Sequence, residues 1–116
     1  MRTALWLALV ILIAVPGAAE ARSQREVAHA YDEVFPAAVR FLRIDAGLKI
    51  IEKDAEAGYV LFELAEDGKT FRGALELVRI KDGVRLIIRV DDRPTYTETG
   101  LLNRLVFKLQ KELQKE

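Results

Sequence analysis

The chain contains no cysteine. That excludes disulfides, thiolate metal sites and a thiol nucleophile. Its one histidine, His29, excludes a multi-histidine metal site within a single chain, and its one serine is Ser23. Charge of one sign is not in excess. With 18 basic and 18 acidic residues the formal net charge is zero, so the electrostatic footprint of a nucleic-acid-binding protein is absent. The glycines are isolated turn formers, and none builds a phosphate-binding loop. What remains is 116 residues that are 51% hydrophobic and 31% charged. That composition and length describe one folded domain rather than a disordered or low-complexity chain.

The first segment reads as an address. Met1-Arg2 is a short basic start, and an uninterrupted apolar run follows from Ala4 to Val15. The run is shorter than the roughly 20 residues a membrane-spanning helix needs. Pro16-Gly17 breaks it, and Ala19-Glu20-Ala21 fits the small-x-small rule of signal peptidase. The expectation is a signal peptide over residues 1–21, cleaved after Ala21 or, alternatively, after Ala19, with a single domain over residues 22–116. An uncleaved membrane anchor is the competing reading. No cysteine stands at the cleavage site to carry a lipid.

Beyond it the pattern predicts helix, four strands, helix. Ser23 and Glu26 have the spacing of a capping box, and Val27, Tyr31, Val34, Phe35, Ala38, Phe41 and Leu42 form a helical stripe. Pro36 predicts a kink or break, and Gly47 closes the helix. The period then becomes two. Strands are expected at Leu48–Lys53, Tyr59–Leu64, Thr70–Ile80 and Val84–Val90, separated by the turn Asp54–Gly58 and by the Asp-Gly pairs at 67–68 and 82–83. Leu75, Leu77, Val78 and Ile80 cannot share one face of the third of these without a bulge. Pro94 ends the sheet, Thr95 and Glu98 suggest a second capping box, and Leu101, Leu102, Leu105, Val106, Leu109 and Leu113 mark the apolar face of a closing helix. Short turns force neighbouring antiparallel pairs. The expected fold is therefore α+β, a two-layer sandwich of a four-stranded antiparallel meander with both helices on one face.

Alternation assigns Val60, Phe62, Leu64, Val84, Leu86, Ile88 and Val90 to the core face of that sheet. The other face then carries Lys49, Ile51, Lys53, Tyr59, Leu61, Glu63, Arg85, Ile87 and Arg89. Among these, Ile51, Tyr59, Leu61, Arg85, Ile87 and Arg89 are the candidate partner-binding residues, because apolar groups interleave with long cationic stems. Whether Arg72, Phe71 or Glu76 of the intervening strand divides the group depends on register. The plain alternative is a solvated face with cross-strand charge pairs.

Residues with reactive chemistry are sparse. His29 has no positioned partner in sequence, as acid–base catalysis requires. Asp91-Asp92 with Glu98, and Asp54-x-Glu56, lack the spacing of a calcium loop. No catalytic residue, metal site or cofactor is expected.

The run from Gly47 to Val60, with its Asp54-x-x-x-Gly58 turn, follows an aromatic helix holding Tyr31, Phe35 and Phe41. In this order of helix, strand, turn, further strands and closing helix the chain resembles the small exported domains of the BamC type, found in outer-membrane assembly lipoproteins. It departs from them in having no lipidated cysteine and no second domain. The resemblance implies a helix-grip-like, non-enzymatic envelope module and carries no catalytic residues. The expectation is an exported, periplasmic or secreted, non-catalytic binding or accessory domain. Its partner would be an envelope protein or a second copy of itself, not nucleic acid, with no stable membrane anchor after cleavage. A small apolar-ligand carrier or small enzyme, with a pocket between helix and sheet, is the alternative.

Overall fold

A computed structural model describes residues 23–114, so the signal-peptide reading of residues 1–21 lies outside the described residues. The chain runs β1 (Gln24–Val27), α1 (Tyr31–Arg40), a π-helical turn (Phe41–Asp45), β2 (Lys49–Asp54), β3 (Tyr59–Glu66), β4 (Lys69–Ile80), β5 (Gly83–Val90) and α2 (Thr95–Leu113). The fold is α+β, with two helices and one antiparallel sheet of order β1-β5-β4-β3-β2.

The sheet has five strands, not four. The extra one is β1, where a helix start was expected. Val27 pairs with Val84 and Arg25 with Leu86 along the free edge of β5. A β-carbon at Gly83 would sit 2.0 Å from the carbonyl oxygen of Val27, so glycine at that position lets β1 lie close. Ser23 caps no helix; its hydroxyl donates to Glu98 at the start of α2. Glu98 also accepts from the Val90 amide, so no capping box forms there either, and one carboxylate joins β1, β5 and α2. The first helix starts instead at Tyr31, after Ala30 in extended conformation, whose carbonyl accepts from the amides of Glu33 and Val34.

Pro36 does not break α1. The carbonyl it leaves unpaired belongs to Asp32, and both residues are exposed, so water can satisfy it. The helix widens only at its end. There the Ala46 amide donates to the Phe41 carbonyl five residues back, and the Leu48 amide to Leu42.

The four remaining strands form the expected meander. Asp67 and Gly68 both take positive φ, the type I′ geometry that matches strand twist. β4 carries no bulge, since it pairs without a register shift from Lys69 to Ile80 on β3 and β5, so its apolar residues divide between the two faces. Leu75 and Leu77 point inward, while Val78 falls on the opposite parity and is exposed. The irregularity lies in β2, between Ile50 and Glu52. It moves Lys53 opposite Val60, off the outer face assigned to it.

Val60, Phe62, Leu75, Leu77, Val84, Leu86 and Ile88 share one parity and are buried with Val34, Ala38 and Leu42 of the first helical region and Leu102, Leu105 and Leu109 of α2. Helix α2 packs on β5, β1 and α1, and α1 packs on β4 and β5. This cluster covers one face of the sheet and leaves its other parity to form a surface.

Candidate functional surface on the outer sheet face

Register places the outward residues in rows across the strands. One row reads Asp54, Tyr59, Glu76, Ile87, Gln24, and the next reads Glu52, Leu61, Ala74, Arg89. The centre of the second row is the small Ala74. With Leu61 and Arg89 on either side, its methyl group forms the floor of a depression rimmed by Tyr59, Glu76 and Ile87. A second depression adjoins it, where Ile51 meets Leu61, Ala74 and Arg89, with Arg72 and Asp91 at its edge. The β2 irregularity brings Ile51 there: the extra residue turns its side chain onto this face, where it is exposed.

Five of the six candidate residues therefore come together: Ile51, Tyr59, Leu61, Ile87 and Arg89. The intervening strand sets Glu76 between Tyr59 and Ile87, but only the low Ala74 between Leu61 and Arg89, and Phe71 points to the other face opposite Leu64. Arg85 is not part of the group. It lies in a separate row with Val78 and Glu26, and its guanidinium is 3.1 Å from the Glu26 carboxylate of β1. Ala74 and Glu76 were missed as floor and rim. The available signal was that Ala74, two residues from Glu76, is the one small side chain at an outward position of β4.

Electrostatics order the rim. The Tyr59 hydroxyl donates to the Glu52 carboxylate. That hydrogen bond raises the phenol above the ordinary tyrosine range, with desolvation and the charges of Glu52 and Asp54 acting the same way. At neutral pH the rim thus presents a neutral, tethered phenol beside the Arg89 cation. The depression thus has an apolar floor with one aromatic, one cation and one carboxylate around it.

His29 lies at the far end of β4, near Asp32, Arg79 and Asp82. Glu98 is occupied by Ser23 and Val90 and so does not join Asp91 and Asp92. Among the described residues no group of three or more His, Cys, Asp or Glu side chains is placed to hold a metal. Among the same residues no helix is long and apolar enough to cross a membrane. Comparison with protein-family models gives no match, and comparison with curated proteins gives none either.

Proposed function

We propose that the protein is an exported, non-catalytic binding domain of the cell envelope that holds a protein partner on the outer face of its sheet. In this reading both helices occupy the opposite face, the BamC-type resemblance extends to the role of an envelope accessory module, and the sequence over residues 1–21 directs export. The observation that carries it is the paired depression around Ala74, where Ile51, Tyr59, Leu61, Ile87 and Arg89 converge. Nothing in the core requires Ile87 to be apolar, since Leu86, Ile88 and Val90 already fill the inner face of β5. The packing between helix and sheet favours a binding surface over a ligand carrier. The space a side chain would take at Gly73 is filled by the Phe62 ring, 2.3 Å from where a β-carbon would lie. The test is pull-down of tagged protein from an envelope extract, wild type beside Ile87→Asp. A partner held by wild type and lost in the variant is the expected result.

A further inference from the structure

A second surface, sharing no residue with the first, lies where the end of α1 meets the C-terminal half of α2. Leu105 and Leu109 turn inward there, which sends Arg104, Phe107, Lys108 and Lys111 toward solvent. The π-helical turn presents Asp45 alongside them, and Ile44 next to it is exposed. Between the two elements runs a groove of about 620 Å³ with Phe41 in its wall.

The charges of this region do not balance. Both of its carboxylates are taken: Asp45 lies 3.1 Å from Lys108, and Glu112 pairs with Arg40. Arg104 sits over the Phe41 ring and Lys111 over the Phe107 ring, at 5.6 and 5.4 Å from the ring centres. Among the described residues no carboxylate lies within ion-pair distance of Arg104 or Lys111, and Arg104 donates only to the Asp45 backbone carbonyl, at 3.5 Å. The groove lining thus holds three cations, Arg104, Lys108 and Lys111, against two carboxylates, Asp45 and Glu112. Phe107, 63% exposed, stands among them, and Ile44, 71% exposed, immediately precedes Asp45 in the chain.

We propose that this region is a docking surface for an anionic phospholipid bilayer. Phe107 and Ile44 enter the acyl boundary, and Arg104 and Lys111 meet the phosphates. A folded acidic partner would need a matching pocket for each projecting apolar side chain. A bilayer offers acyl chains beneath a phosphate layer at every point. Attachment of this kind is peripheral and reversible, because a few cations and two apolar side chains do not anchor a protein.

The absence of cysteine makes a single labelled position clean. The full chain carries an environment-sensitive fluorophore at Gln110→Cys, one turn beyond Phe107, or, as a control, at Glu76→Cys on the sheet. Each is mixed with vesicles of equimolar phosphatidylglycerol and phosphatidylcholine, or of phosphatidylcholine alone. The apolar run at Ala4–Val15 can bring the chain to either vesicle, so the readout is the environment of the probe. The expected result is a blue shift at position 110 with the anionic vesicles only, reversed by salt, and none at position 76. Removing two cations in R104Q/K111Q raises the half-saturating lipid concentration about 25-fold. An equal shift with neutral vesicles, no shift at position 110, a shift at position 76 or an unchanged titration in the double variant overturns the proposal. So does an equal shift with polyglutamate in the absence of lipid, which would point to an acidic protein.

Discussion

Tyr31 shows how a single side chain gathers its role from distant parts of the chain. Its ring packs against Phe35, 6.0 Å between centres, and lies under the Arg79 guanidinium at 3.8 Å. Its hydroxyl donates to the Ala55 carbonyl, tying α1 to the β2–β3 turn. Burial raises its phenol above the ordinary range; Arg79 opposes this, while Asp54 and Asp32 add to it. The folded state therefore disfavours the tyrosinate, and the unfolded chain ionises first. Stability from this group is fully present below the ordinary tyrosine pKa of about 10 and is lost as pH rises from there through the raised value. Tyr31→Phe should cost about 1 kcal/mol at neutral pH through the lost hydrogen bond. It should also flatten the decline of the urea midpoint above about pH 10, measured by circular dichroism. Equal decline in both proteins would contradict this account. Burial of Tyr31 was legible from its place on the helical stripe, but the cation over its ring was not. Arg79 is brought there by sheet register, which no local pattern reveals.

Among the elements, those whose signals are local were legible. The hairpin at Asp67-Gly68 follows from turn chemistry, whereas the second turns on Lys81 and Asp82, one residue before the expected Asp-Gly pair, with Gly83 already paired to Ile80; Leu86, Ile88 and Val90 declare the inner face of β5 by alternation. Ser23–Val27 shows the opposite case. The Ser-x-x-Glu spacing fits a helix cap as well as a strand, and four residues are too few to establish a period. Tertiary partners decided it: Val27 against Val84, Glu26 against Arg85 and Arg25 against Asn103. Helix α2 depends on its buried stripe rather than on its start, since Thr95 follows Pro94 with no side-chain cap. Leu105 and Leu109 are both fully buried. Leu105→Ala and Leu109→Ala should each lower stability by about 2–5 kcal/mol, through lost burial and a residual cavity. A wild-type urea midpoint in either variant would mean that α2 is not held by these contacts.

At the scale of the whole molecule, the meander was legible because short turns leave adjacent strands no other pairing. The place of β1 was not. It joins the sheet beside β5, at the edge opposite β2, and the chain then crosses through α1. The candidate surface was legible as a parity set, but its shape was not, because the low Ala74 and the β2 irregularity appear only in register. Arg85 had the right parity yet faces an ion-pair partner on a strand that was not foreseen. The export reading makes its own prediction. The exported product should begin at Arg22 by intact mass and, having lost Trp6, show no tryptophan fluorescence. A full-length, membrane-embedded product would contradict it.

The central claim is that the outer sheet face binds and the inner face folds. Ile87 separates the two, because it lies on a core strand yet points away from the core. The most direct measurement places wild type and Ile87→Asp side by side. Circular dichroism and urea unfolding read the fold, while envelope pull-down and analytical ultracentrifugation read association. The account predicts a stability change of no more than about 1 kcal/mol, as expected for an outward strand position, together with loss of the partner or of self-association. Collapse of the fold, or an intact fold that retains every interaction of the wild type, would contradict it.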